Sequence, residues 1–369
     1  MKKLIILTLF SAVFLSFAVK ATVYTVSNNN NSPGQFLTIQ AAHDAAADGD
    51  TLYIHASPKL YGDVTIQKRL TLIGEGALPN KQIQFSSQVS AIRLTYAPLP
   101  PVTTASGSKF FGLDISSLTV GSINSSYVYN IDNLTISRNR IGNLSYSVSC
   151  SEGSTNNMIT NNIIQSVNSK LRNSLFSNNI VYTINETFTG SNNIFINNII
   201  QYSIAVKGAL VSNNIFYNFS SNGKINTASC TETVFNNNLF YSFTPVTIGD
   251  IVYGSNTGTG NLLQQDPKFV TPTLSETLRG YDYDKPVTGP FADYHLQNTS
   301  PGKNYGTDGK DIGIYGGGYP WVDGSTSDSR FRYYAMPYNV PHMKSMDILN
   351  TVQPLNGTLN VQFNAETQN

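Results

Sequence analysis

Asn161-Asn162-Ile163-Ile164, Asn178-Asn179-Ile180-Val181, Asn197-Asn198-Ile199-Ile200 and Asn213-Asn214-Ile215-Phe216 are four statements of one phrase, a polar pair followed by two apolar residues. A looser form, Arg138-Asn139-Arg140-Ile141, precedes them, and Asn237-Asn238-Leu239-Phe240 follows. The second polar residue advances by 23, 17, 19, 16 and 24 positions, a period of about 20 with the jitter that loops of unequal length produce. Such a period marks a solenoid, one repeat to a coil. The leucine scaffold of a leucine-rich repeat is missing, and asparagine in mid-segment disfavours a helical repeat. The stretches between the pairs are short, β-branched or aromatic, and alternate with period two, as in Asn193-Ile194-Phe195-Ile196-Asn197. They read as strands, and strands carrying the same phrase at every level stack into a parallel β-helix with coils about 4.8 Å apart.

Asparagine suits the corner of such a coil. It tolerates the left-handed backbone that a tight turn needs, and its amide can bond the equivalent amide one coil away. The column Asn139, Asn162, Asn179, Asn198, Asn214 and Asn238 is therefore read as a structural ladder. The competing reading is a row of amides facing a glycan groove.

The composition agrees with an extracellular solenoid. Only 12% of the residues are charged, where about 25% is usual, and 11% are aromatic, with 21 Tyr and 19 Phe. A net charge of +1 gives no electrostatic case for nucleic acid or an acidic membrane as partner. Residues 1–21 begin with Lys2-Lys3, continue through an apolar run and end on small residues, the pattern of a secretory signal peptide. The apolar run is too short for a retained span. A monomer exported to the periplasm, the cell surface or the medium is expected. Cys150 and Cys230 sit in similar phrases about four coils apart, which places them about 19 Å from each other, too far for a disulfide. Two buried free thiols are expected instead.

Thr38 begins a short amphipathic helix as its N-cap, with Ile39, Ala42 and Ala46 on one face and Gly49 as its stop. Such a helix would cover the open end of the solenoid. The ordered set Thr-Ile-Gln-Ala-Ala at 38–42, Asp-Gly-Asp-Thr-Leu-Tyr-Ile at 48–54, Tyr61-Gly62 and Leu-Thr-Leu-Ile-Gly-Glu-Gly at 70–76 resembles the opening of the pectin-lyase-like superfamily of right-handed parallel β-helices. Asp266-Pro267-Lys268-Phe269, Asp293-Tyr294-His295-Leu296, Ser300-Pro301-Gly302 and the glycine-rich run at 306–317 look like the closing phrase of secreted bacterial β-helix repeat proteins. The resemblance implies an all-β, right-handed parallel β-helix, of about ten coils, over residues 22–321; the residues beyond read as a polar linker and a C-terminal β-hairpin tail over 322–369, with a turn at Pro354-Leu355-Asn356-Gly357. It implies little about chemistry, because the opening is shared by lyases, hydrolases, esterases and proteins without known activity.

A lyase of this superfamily needs a base and a means of neutralising a sugar carboxylate, commonly Ca²⁺ held by acidic residues. Asp114, Asp132 and Glu152 are spaced by 18 and 20 residues, so they could align on successive coils, with Arg140 beside them as a base or clamp. Arg138, Lys170 and Arg172 are further cationic candidates. The alternative is that all are isolated turn charges. No Asp-Asp or Asp-X-Asp pair occurs within the coils, against a hydrolase, and the Asp-Phe-Ile-Phe-Gly phrase of the methylesterases is absent. His43, His55, His295 and His342 are scattered, so no metal site is expected, and no cofactor beyond Ca²⁺ under the lyase reading. Tyr127, Tyr129 and Tyr146 head a recurring set of tyrosines that could stack on sugar rings or pack in the core. The reading favoured by the sequence is a carbohydrate-interacting protein without the known catalytic sets, its partner a polysaccharide or cell-surface glycan. A reduced-site polysaccharide lyase and a structural or adhesive surface protein are the alternatives.

Overall fold

The computed structural model describes residues 21–30, 32–76, 85–97, 102–121, 130–146, 153–186, 192–218, 227–271, 293–321, 341–348 and 361–367. Two long parallel sheets, of eleven and ten strands, enclose one apolar core. In the central coils the first sheet contributes three-residue strands such as Thr135–Ser137, Met158–Thr160, Leu175–Ser177 and Ile194–Ile196. The second contributes seven-residue strands, Asp114–Val120, Arg140–Tyr146, Ile163–Ser169, Ile180–Glu186 and Ile199–Ala205. Each strand pairs with its equivalent in the next coil, as Ile136 with Ile159 and Ile164 with Val181. This is the parallel β-helix that the repeat predicts, right-handed as crossovers between parallel strands are.

Two residues join the short strand of a coil to its long one, and in the central coils they are the asparagine pair. The first takes a left-handed conformation, with φ of 55° at Asn161, 56° at Asn178, 57° at Asn197, 56° at Asn213 and 52° at Asn237. The second turns inward and is fully buried at Asn139, Asn162, Asn179, Asn198, Asn214 and Asn238. Every inward Oδ1 accepts the backbone N–H of its counterpart one coil earlier, at 2.9 Å for Asn139 to Asn162 and 2.8 Å for Asn198 to Asn214. Its Nδ2 donates to a strand carbonyl of the preceding coil, as Asn179 does to Ile159 at 2.8 Å. The amides thus satisfy backbone groups that the corner removes from the sheets. A second polar column lies at the other end of the short strands. There Asn157 Oδ1 accepts from Leu134 N, Ser174 Oγ from Asn157 N and Asn193 Oδ1 from Ser174 N, at 2.9 to 3.0 Å.

Between the columns the core is filled by one residue of each short strand and by the second and fifth residues of most long strands, with the seventh also inward, as at Ile141, Leu144 and Tyr146. Phe176 stacks on Phe195 at 4.9 Å and Phe216 on Phe240 at 4.3 Å, since equal residues at equal positions meet face to face. Cys230 belongs to this core, where burial pushes its thiol up to about 11. Cys150 lies outside the described residues.

The N-terminal helix spans Ile39–Ala45, with the Thr38 hydroxyl accepting from Ala41 N. It ends at Ala46, which turns to extended backbone, and the Lys68 ammonium donates to the last carbonyls, those of His43, Asp44 and Ala46, at 2.9, 3.1 and 2.7 Å. Ile39, Ala42 and Ala46 are buried against the first coil, and so is His43.

The C-terminal part of the helix domain returns along the asparagine corner. Asn237 Nδ2 donates to Tyr305 O at 3.2 Å, Asn178 Nδ2 to the carbonyls of Ile314 and Gly316 at 2.9 and 2.8 Å, and Asn161 Nδ2 to Tyr319 O at 2.9 Å. Trp321 Nε1 donates to Asn178 O. This strap covers a second apolar cluster in which Ile163, Ile180, Ile199, Ile215 and Leu239 meet Ile312, Ile314 and Trp321. The approach is close: a Cβ on Gly313, whose φ is +83°, would stand 2.7 Å from Ile215 Cδ1. The repeat's first apolar residue therefore faces the strap and its second faces the core. Beyond it, strands Pro341–Ile348 and Val361–Thr367 pair antiparallel in a two-stranded sheet.

Candidate functional site

The first position of each long strand is outward. It is isoleucine or leucine wherever the strap lies on it, and polar in the coils the strap does not reach. In register this column reads Gln88, Asp114, Arg140 and then Ile163. The polar end is a depression of about 410 Å³ lined by Leu60, Gln88, Asp114, Ser116, Arg140, Gly142 and Gln165, among others. Its floor is backbone. A Cβ at Gly142 would stand 2.6 Å from Ser116 O, so any larger residue there would fill the hollow or push the coils apart.

Asp114 Oδ2 and Arg140 Nη1 stand 3.8 Å apart on adjacent coils, with side chains 14% and 20% exposed. The amides of Gln88 and Gln165 flank this ion pair one coil to either side. The set offers a carboxylate acceptor, a guanidinium fork and two amides along about 14 Å, four rungs at the spacing of stacked strands.

The column proposed from sequence for Asp114, Asp132 and Glu152 does not form. The coil that starts at Asp114 is longer than the repeat average, and its register partner in the next coil is Arg140 rather than Asp132. Asp132 lies at the other corner, where its Oδ1 accepts from Thr155 N at 2.7 Å and its backbone N–H donates to Ser106 Oγ. Glu152 is outside the described residues, as are Tyr127 and Tyr129. Tyr146 is 6% exposed and belongs to the core cluster, which corrects its assignment to a glycan-contacting face. It ends a long strand on an inward position, where only the alternation along the bent strand reveals its direction. Arg172 lies within the small pair Ser154–Thr155 and Leu171–Arg172 and Lys170 directly precedes it, both away from Asp114 in the register. Arg138 occupies the left-handed corner, with φ of 60°.

Gln88, Ser116, Gly142 and Gln165 were not singled out from the sequence. The signal exists: Ser116, Gly142 and Gln165 each stand three residues after the inward corner residue, at Leu113, Asn139 and Asn162. Among the tyrosines, Tyr182 and Tyr202 stack at 5.2 Å with rings 8° apart, and Tyr202 is 46% exposed. Tyr217 is buried beneath the strap, where desolvation raises its pKa.

The remaining titratable candidates have structural partners. His55 Nδ1 lies 2.7 Å from Glu75 Oε1, with Tyr53 edge-on to the ring. His295 stacks on Tyr315. Asp311 accepts from Lys303 Nζ at 2.8 Å and from Asn304 N, while Asp308 accepts from Lys310 N. Among the described residues no group of three His, Cys, Asp or Glu side chains could hold a metal ion, and no helix is long and apolar enough to cross a membrane.

No protein-family model matches the chain, and no curated protein matches it. Among solved structures the chain is similar to the pectin methylesterase from Aspergillus niger in deglycosylated form. The two are 12% identical, and the match covers 78% of this chain and 96% of that chain with a TM-score of 0.28. The fold stands on the strand register described above, and the chemistry on the residues of the depression.

Proposed function

We propose that this chain is an exported β-helix protein that binds polysaccharide at the depression of Gln88, Asp114, Arg140 and Gln165, and that it binds rather than cleaves. The observation that carries the reading is the Asp114–Arg140 pair, held at 3.8 Å in an open hollow with an amide on either side. A carboxylate accepts from neighbouring sugar hydroxyls, and a guanidinium donates to a hydroxyl or an acidic substituent. The pair's charges offset each other, so the site does not demand an ionic ligand. Among the described residues lining the hollow, Asp114 is the only acid, which leaves an acid–base pair of glycosidase type without its second member.

Calorimetric titration with a panel of soluble neutral and acidic oligosaccharides tests the reading. Binding by the wild-type protein that falls at least about tenfold in both Asp114→Ala and Arg140→Ala is expected. A panel without binding, or binding indifferent to both changes, overturns it. The adjacency of Arg140 to a carboxylate keeps the lyase reading as the second one. Ultraviolet absorbance from unsaturated products, lost in Arg140→Ala, would replace binding with cleavage.

A further inference from the structure

The long strands carry a second outward surface. Their third and fourth residues are both outward or partly so, which bends the strand, and beyond the bend the fourth and sixth positions face away from the core. The fourth positions align as Ser117, Asn143, Ser166 and Thr183, and a bulge in the next strand continues the column at its fifth residue, Ser203. The sixth align as Thr119, Ser145, Asn168 and Asn185. Two columns over successive rungs thus form a flat grid, with points about 4.8 Å apart along the helix axis and about 6.7 Å apart along the strands. Every one of these side chains is hydroxyl or amide and none is charged. Arg93 marks one end of the grid and Ala205 the other.

Four features set the face apart from an ordinary solvated sheet. Exposed strands normally carry Lys, Glu or Arg, which keep edges and faces soluble, and here they are absent over the whole grid. The side chains are short, so little rotamer freedom is lost when they bind. Several are already fixed: along the columns Thr183 Oγ1 lies 2.6 Å from Ser203 Oγ and Thr119 Oγ1 lies 3.2 Å from Ser145 Oγ, and between the columns Asn168 Nδ2 donates to Asn143 Oδ1 at 3.3 Å. Finally, the stacked Tyr182 and Tyr202 stand at the bend, immediately before Thr183 and Ser203, and Tyr202 presents an exposed ring of the kind that lies against a pyranose.

We infer that this face adsorbs to the surface of an ordered, uncharged polysaccharide, packed chains of β-linked neutral sugars rather than a single dissolved chain. An uncharged donor and acceptor grid is complementary to an uncharged surface of hydroxyl or acetamido groups. A flat grid without walls holds a flat solid better than a lone chain, which needs a groove to enclose it. The mixture of serine, threonine and asparagine reaches to different heights, which suits hydroxyls that can rotate to meet it and not the fixed oxygen lattice of ice. The grid adjoins the depression but shares no residue with it, and Asp114→Ala tells the two apart.

Depletion assays with microcrystalline cellulose and with chitin powder, run at low and high salt, test it. Adsorption to at least one solid that persists at high salt is expected, weakened about tenfold or more in Ser166→Lys and in Asn185→Arg and retained in Asp114→Ala. Circular dichroism and the thermal midpoint establish that each variant is folded. Should Ser166→Lys fail to fold, Tyr202→Ala at the exposed ring takes its place, with a several-fold loss expected. No adsorption to either solid overturns the inference, as does adsorption equal in wild type and all face variants. Incorporation of the wild-type protein into growing ice, lost in the same variants, would reassign the face to ice and overturn it as well.

Discussion

Asn213 and Thr307, 94 residues apart, hold each other twice: Asn213 Nδ2 donates to Thr307 Oγ1 at 3.0 Å and Thr307 N donates to Asn213 Oδ1 at 3.1 Å. The pair shows the division of labour within Asn-Asn. The outer amide fastens the returning strap, and the inner one satisfies the backbone of the coil before it.

Replacing the outer member should loosen the strap and spare the coils. Asn213→Ala removes both bonds to Thr307 and is expected to cost about 1–2 kcal/mol. Hydrogen exchange should then accelerate at amides 305–316 while those of Leu210–Ser212 keep their protection. Equal loss in both segments would show that strap and coils unfold as one.

An inner replacement should cost more. Asn179 accepts from Asn162 N and donates to Ile159 O and Asn198 Oδ1, all fully buried. Asn179→Ala strands these groups without water, and a loss of about 2–4 kcal/mol is expected in urea denaturation. Asn261 ends the column and is half-buried, so Asn261→Ala should cost about 1 kcal/mol.

Arg138 stands where the other coils place Asn or Gly, in a left-handed conformation that an arginine side chain disfavours. Arg138→Asn should raise stability by about 0.5–1 kcal/mol, read as a rise in the denaturation midpoint without a change in slope.

His43 gives the N-terminal cap a pH dependence. Its Nε2 accepts from Gln67 N at 3.1 Å, which leaves the proton on Nδ1, facing Asp44 Oδ1 at 2.9 Å and Gln40 Nε2. Burial is the leading cause that lowers its pKa below 6.5; Lys68 acts in the same direction, and Asp44 opposes both. The folded state therefore takes up the proton less readily than the unfolded one. The stability that His43 contributes is whole above the ordinary histidine value and is lost as pH falls from it toward the lowered one. The thermal midpoint should drop on acidification through this window, and His43→Gln should flatten that slope.

The fold was legible because the repeat carries it: an asparagine pair every 20 or so residues requires a corner, and the β-branched stretches between require strands. The helix was legible from Thr38 onward, although Lys68, distant in sequence, supplies the donors at its end. The candidate site was half legible. Arg140 and Asp114 were both singled out, yet the spacing of 18 from Asp114 to Asp132 misled, because coil length varies with the loops and only the register shows which residues share a rung. Tyr146 misled for a related reason: a strand that bends breaks the simple alternation from which inward and outward are read. The strap carries the glycine-rich closing phrase, but nothing in that phrase announces that Gly313 lies against Ile215.

The strap also sets an order of events during biosynthesis. Ile163, Ile180, Ile199, Ile215 and Leu239 are made early, and the residues that cover them, Ile312, Ile314 and Trp321, come only after most of the chain has emerged. A solenoid that can coil from its first turns must for that interval present a greasy stripe to its surroundings, a surface open to self-association. Completion is thus postponed until the strap and its Trp321 arrive, and a chain truncated before residue 305 would carry both long sheets and lack the Ile312, Ile314 and Trp321 that seal them.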